Sequence, residues 1–380
     1  MTVTPKQLEI QQALIQDAYE ALEEEIVNQI IKRLNQKTFT ELSKDTVFQW
    51  QLEKMQQLNL LNDETIKELV KNSNKRSEKQ LKKLISEMGY DSLQSFNGEM
   101  EVLTGKSLPW TDLDSILQSL FNQQWLELEN HVNQTLISTN YQLNTIAQAY
   151  TQVLNDTVAK LATGFVSPDQ AFRTAIYEWV DRGIISSFFD KSGRQWSLES
   201  YVRMVLNTTT HRINQDLRLK RSNDFGIVTA LMSSHSAARE ACAPIQGGWV
   251  LTVRTSEAPE EFQHIKSIYD FGYGEPGGTQ GIYCKHRLYP GIPGITENNM
   301  PNPPKVAEAH KNAEIVAKQR AMERAIRAAK KQLNAAEQLS NDEDIQHFKQ
   351  LIRNRQGALR MYINEHDVLH REYIREQLYS

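Results

Sequence analysis

Apolar residues recur at three- and four-residue spacing through most of the chain, the period of an amphipathic helix. Leu8, Leu14, Ala18, Leu22, Ile26, Ile30 and Leu34 line one side of a first segment. It opens with Pro5, whose missing N–H costs nothing in a first turn. Lys32 and Arg33 close it and suit the negative end of the helix dipole. The pattern predicts a second helix over 41–59. A third is capped by Asn62 and Asp63 and ends at Met88, with Gly89 as the stop. Leu113, Ile116, Leu117, Leu120, Trp125, Leu126 and Val132 continue the stripes within 110–162, with a kink expected at Asn140 and Tyr141. Ser167 and Pro168 open the next helix, which ends near Gly183. Residues 186–195 read as a short turn-like segment, after which Ser197 caps a helix over 198–221.

The period changes after Gly226. Residues 226–232 are β-branched and apolar behind a glycine and read as a strand, as do residues 248–253. A third short strand is expected near Ile282 and Tyr283, and a short helix over 257–270. Pro303 and Pro304 mark a linker. Two further helical patterns follow, 306–339 and, behind Asn341, a run towards Leu378, which together predict an antiparallel hairpin. The expected fold is therefore mainly α: long helices flanking a small central α+β module, with a C-terminal helical hairpin. The expected division is 1–165, 166–225, 226–300 and 301–380.

Composition narrows the function classes. Hydrophobic residues make up 39% of the 380, enough for real cores but spread thin, as in long helices packed through narrow stripes. Such polar helices are expected to present surfaces to neighbouring chains. The formal charge of −4 and a pI near 6.2 argue against a general nucleic-acid coat. Two cysteines exclude a secreted disulfide framework. The start of the chain is polar, without a signal-peptide pattern, and no apolar run reaches the roughly eighteen residues of a bilayer span. No membrane anchor is expected.

The candidate chemistry gathers in the module. His235, Cys242, Cys284 and His286 are soft or borderline ligands that can close a tetrahedral zinc site, although the spacing is not a standard signature. The alternatives are a pair of small buried thiols that stay reduced, or a disulfide formed later, outside the reducing cytosol. A Cys242 nucleophile with His286 as base is a further reading. Against it, Ala243 and Pro244 follow the cysteine with no helix start to lower its pKa. Basic faces run over Lys71–Lys83, Arg203–Arg221 and Lys318–Lys331. Arg320, Arg324, Arg327, Lys330 and Lys331 are the candidates for contact with DNA phosphate. The plain reading of such runs is a solvated helix face.

The segments Ser233 to Gly248 (SSHSAAREACAPIQGG), Gly281 to Arg287 (GIYCKHR) and Tyr289 to Gly294 (YPGIPG) share an order and wording. With Trp196 to Val205 and Gln319 to Arg327 beside them, residues 165–340 resemble the phage minor capsid protein 2 family, among the head-morphogenesis proteins of tailed bacteriophages. The resemblance implies a minor structural protein of the virion, in the head interior or at the portal vertex. It would pass through the host cytoplasm during assembly. Its implied partners are the portal protein, other head proteins and packaged DNA, and its implied roles are head assembly and DNA packaging or ejection, without catalysis. The competing classes are a metal- or cysteine-dependent enzyme centred on 235–286 and a non-specific DNA-binding protein.

Overall fold

The computed structural model describes residues 5–58, 64–109, 113–138, 144–163, 165–190 and 192–378. The caps expected at Asn62 and Asp63 and the kink at Asn140 and Tyr141 lie outside these residues. Helix α1 (Pro5–Leu34) runs through the middle of the helical part. Leu22, Ile26, Ile30 and Leu34 of the expected stripe are buried along it, but in its first half the buried positions are Ile15 and Tyr19, while Leu14 is exposed. It packs on α3 (Glu64–Thr104) and α8 (Leu198–Asp224). Around these lie α2 (Val47–Leu58), α4 (Leu113–Leu128), α6 (Thr145–Thr163) and α7 (Pro168–Arg182). After α4 a π turn, Glu129–Asn133, leads into the short α5 (Gln134–Ile137).

Three expected boundaries move, each for a physical reason. Helix α3 passes through Gly89 and ends at Gly105, whose φ is +67° and whose N–H donates to Glu101 O at 2.8 Å. Gly89 marks a close approach instead of a stop: a Cβ there would meet Leu117 Cδ2 at 2.4 Å. Helix α2 begins at Val47 because the residues before it are held as a turn. The Glu53 carboxylate accepts the N–H groups of Phe39 and Thr40 at 2.9 and 3.2 Å. The segment expected to be turn-like instead contributes a β-hairpin, β1 (Ile185–Phe189) against β2 (Gln195–Ser197). Asp190 shapes its turn by accepting from Ser192 N and Arg194 N, both at 2.9 Å.

The module follows α8. Strands β3 (Thr229–Met232), β4 (Trp249–Leu251) and β5 (Leu288–Pro290) form one antiparallel sheet in the order β4-β3-β5. The third strand is thus Leu288–Pro290 and not 282–283. Pro290 is tolerated because β5 is an edge. The helix expected over 257–270 is three separate 3-10 turns, Thr255–Glu257, Glu260–Phe262 and Ile268–Phe271. Pro259 accounts for the break: it holds Ala258 extended at φ −82°, ψ 147°.

Helices α9 (Val306–Gln338) and α10 (Asp342–Asn364) form the C-terminal hairpin. The second ends at Asn364, earlier than its pattern suggests, and the chain folds back to a 3-10 turn, Tyr373–Glu376, against α9. The hairpin is no free arm. Ala335, Ala336 and Phe348 belong to the same hydrophobic core as α1, α3, α4, α6, α7 and α8. Phe348 packs edge-on to Tyr177 at 4.9 Å between ring centroids. Asp344 takes Arg173 and the Tyr177 hydroxyl at 2.8 Å each. Part of the hairpin's surface is therefore buried within this chain. Among the described residues no helix is long and apolar enough to cross a membrane.

A buried ion cluster joins the ends of the chain. Glu199, in the first turn of α8, accepts from Arg327 Nε at 3.1 Å and Lys331 Nζ at 2.8 Å and forms an ion pair with Arg203, whose Nε lies 3.3 Å away. Arg203 also pairs with Glu20 of α1. Lys331 reaches Glu23 at 3.3 Å, and Glu23 accepts the Ile184 N–H at 2.9 Å. That last contact needs Gly183: its φ of +74° with ψ 179° suits glycine alone, and a Cβ there would stand 2.8 Å from Glu23 Oε1. Burial alone would raise the Glu199 carboxyl, but Lys331, Arg327 and Arg203 hold it at about 2. Glu20 goes the other way, pushed up to about 7, by burial first and against the pull of Arg203.

Removing Glu199 would leave three cations facing each other without their common partner, so Glu199→Gln should destabilise the fold by about 3–5 kcal/mol in urea denaturation at pH 7. The two carboxylates shape the pH profile oppositely. Glu199, with a depressed folded-state pKa, contributes stability above about pH 4.5 that is lost as pH falls towards 2. Glu20, with a raised one, contributes stability below about pH 4.5 that is lost as pH rises through 7. Glu20→Gln should therefore flatten the loss between pH 4.5 and 7, and an unchanged slope there would contradict this assignment.

Candidate functional site: the cysteine–histidine node

The module has a small core, made by Ala230, Met232, Val250, Ile268 and Leu288 of the sheet and its turns, Leu219 of α8, Ala309 of α9, and the two cysteines. Cys242 sits in a compact turn between β3 and β4. Its N–H and that of Ala243 both donate to Arg239 O at 2.9 Å, while Cys242 O accepts from Ile245 N and Gln246 N. Cys284 and His286 lie on the segment entering β5, where the Cys284 N–H donates to Gly281 O. Arg239 ties the two segments together by donating to the carbonyls of Pro276, Gly278 and Ile282. Gly281 allows that loop to close: a Cβ there would stand 1.8 Å from Glu275 O.

Three of the four expected ligands converge. Cys242 Sγ and Cys284 Sγ are 3.8 Å apart, and Cys284 Sγ is 3.6 Å from His286 Nδ1. All three atoms lie within 4.8 Å of one another, and all three residues are buried. The sulfur separation is well beyond the roughly 2.05 Å of a disulfide bond, and both thiols are free. His235 stands apart from this trio. Its Nε2 bonds to Lys285 O at 3.0 Å, and its ring packs edge-on to that of His286 at 4.6 Å.

Gln246 decides how His286 is oriented, and sequence reasoning passed over it. Its Oε1 accepts the His235 backbone N–H at 2.8 Å and lies 3.0 Å from His286 Nε2. A backbone N–H can only donate, so the amide oxygen must face it. His286 Nε2 then carries the proton, and Nδ1 presents a lone pair to the cysteines. The Gln246 amide nitrogen is left buried without a partner, a cost the arrangement accepts. A polar side chain in a turn of small and apolar residues, just before Gly247 and Gly248, was the available signal.

The thiols differ. Cys242 is pushed up, first by its hydrogen bond to Cys284 and then by burial. Cys284 is pulled down by the same bond, with His286 adding to it. A buried high-pKa thiol is a poor nucleophile, so the geometry does not favour Cys242 in that role. Burial also lowers the His235 pKa.

The basic residues of α9 are divided by the packing. Arg327 and Lys331 point inward to Glu199 and Glu23. Arg320 pairs with Glu323 at 2.8 Å, and Lys330 donates to Gln377 at 2.8 Å. Arg324 is exposed. Two cavities lie away from the node. One of about 440 Å³ is lined by Asp156, Lys160, Glu178 and Arg182 on α6 and α7; the other borders Glu20, Glu23 and Lys331.

Comparison with known proteins agrees across almost the whole chain. A family model described as phage minor capsid protein 2 matches residues 3–364. A structural protein of Lactococcus phage LL-H is 36% identical over 364 residues, covering 95% of this chain and 97% of that one. A structural protein of Lactococcus phage mv4 is 40% identical over 112 residues, 30% of this chain and 90% of that one. No solved structure matches the chain.

Because Gln246 accepts from the buried His286 ring and the half-buried His235 N–H at once, Gln246→Leu should lower the stability of the folded chain by about 2 kcal/mol or more. Urea denaturation followed by circular dichroism reads this directly. A midpoint equal to that of the unaltered chain would show that the bonds to His235 and His286 contribute nothing.

Proposed function

The chain belongs to the phage minor capsid protein 2 family, and from that premise we propose that it works at or near the portal vertex, on the inner side of the head. There it binds the portal protein and other head proteins and acts in head assembly and in DNA packaging or ejection. The observation that carries this reading is the extent of the family match, residues 3–364, together with a phage structural protein matched over 97% of its own length.

The surface offers support of a physical kind. Phe48 and Leu52 are one turn apart on α2, so they share a face. They are 69% and 60% exposed, and Phe39 just before the helix is fully exposed. An apolar ridge of this sort on a polar protein is a place for another protein to dock. The same helix turns Trp50 into the core, edge-on to Phe172 at 5.7 Å, so the ridge is held on a fixed base. The node, by contrast, is closed and offers a substrate no cleft.

Phage lacking this protein should still form shells but lose infectivity, and purified particles should contain the protein bound with portal protein. Recovery from host cytoplasm alone, never from particles, would refute the proposal. The double variant Phe48→Asp, Leu52→Asp should keep the circular dichroism of the parent and fall at least about tenfold in incorporation, the loss expected when a few apolar anchors carry the contact.

A further inference from the structure

We propose that Cys242, Cys284 and His286 bind one zinc ion, with Gln246 orienting the histidine and Thr279 or a water at the fourth position. The first ground is distance. Zinc bonds of about 2.3 Å to sulfur and about 2.0–2.1 Å to nitrogen, at tetrahedral angles, place two sulfurs about 3.8 Å apart and sulfur and nitrogen about 3.6 Å apart. The node shows 3.8 Å between Cys242 Sγ and Cys284 Sγ and 3.6 Å between Cys284 Sγ and His286 Nδ1. These match two edges of a zinc coordination tetrahedron, and the third pair, Cys242 with His286, lies within 4.8 Å.

The second ground is orientation. A ligating imidazole is normally fixed by a hydrogen bond from its other nitrogen to an oxygen acceptor. His286 has this arrangement: Nε2 donates to Gln246 Oε1 at 3.0 Å, which leaves Nδ1 free to coordinate. Gln246 is itself pinned by the His235 N–H. The third ground is the donor set. Two thiolates and one imidazole in a tetrahedral frame select zinc over the harder magnesium or calcium.

The fourth vertex has an oxygen within reach. Thr279 is fully buried, and its hydroxyl lies 3.5 Å from Cys242 Sγ. His235 is not a ligand on this reading. It supports the site by packing against His286 and by bonding Lys285 O. The site is closed to solvent, so the ion is structural: it fastens the turn that carries Cys242 to the strand entry that carries Cys284. Binding releases the thiol protons and involves no change of redox state.

The test uses the full chain, expressed in zinc-supplemented medium and purified with reductant and without chelator. Metal analysis should give about one zinc per chain. Removal of the zinc and addition of cobalt(II) should produce thiolate-to-cobalt charge-transfer absorption with the visible bands of a tetrahedral ion. Cys284→Ser and His286→Gln should each fall to less than a tenth of the parent zinc content, while His235→Gln should keep it. Should the ligand variants fail to fold, the parent chain still decides the matter: its two thiols should resist maleimide with zinc bound and react after chelation. Folded, reduced parent chain that carries no zinc after incubation with excess ion and gel filtration would overturn the proposal. So would a Cys242–Cys284 disulfide in protein recovered from particles.

Discussion

Glu199 is the residue on which the architecture turns. It stands at the start of α8 and draws in Arg203 of its own helix and Arg327 and Lys331 of α9, while those cations reach Glu20 and Glu23 of α1. Three acidic side chains face three cations, with Glu199 fully ionised and Glu20 titrating near neutral pH. Burying so many charges is expensive, and a hydrophobic replacement of similar volume would be at least as stable. What the ions supply is register. They can meet only if α1, α8 and α9, some 130 to 310 positions apart along the chain, lie in one arrangement.

The same cluster sets the position of the module. The sheet is hung between the end of α8 and the start of α9, and both helices are held by Glu199. Local contacts complete the suspension. Gln215 of α8 accepts the Leu288 N–H of β5 at 2.9 Å, Tyr273 donates to Asp216 at 2.9 Å, and Asn312 of α9 donates to Ser236 O at 3.0 Å. The loop before β5 links the two centres. Ile282 packs on the helical core, Tyr283 lies beside Arg203, Glu199 and Arg324, and Cys284 enters the node. One short stretch thus passes from the ion cluster to the cysteines.

Much of this was legible because it is local. Ser167, Ser197 and Asn341 cap α7, α8 and α10 as their positions suggest, since a cap depends on neighbours three residues away. The C-terminal hairpin and the small central module follow from periodicity in the same way. What failed was context. A glycine that stops a helix and one that lets another helix approach look identical in sequence, so Gly89 was misplaced. Ile282 and Tyr283 have the composition of a strand, yet Ile282 is taken up by the helical core. At the node, the cysteines and His286 were legible as residue types, but only the fold separates His235 from them and reveals Gln246. The ion cluster was illegible for the plainest reason: its members are scattered through the chain, and on their own helices Arg327 and Lys331 resemble any basic surface.

The chain is therefore best understood as one packed virion component, in which polar helices spend many of their charges on each other. Hydrogen exchange on the purified chain tests that claim most directly. If the Glu199 cluster joins the helical parts into one body, the slowest amides of α1, α8 and α9 should open together, with a common protection that falls equally in all three when denaturant is added. Slow exchange in α1 alongside fast, independent opening of α9 and α10 would contradict it.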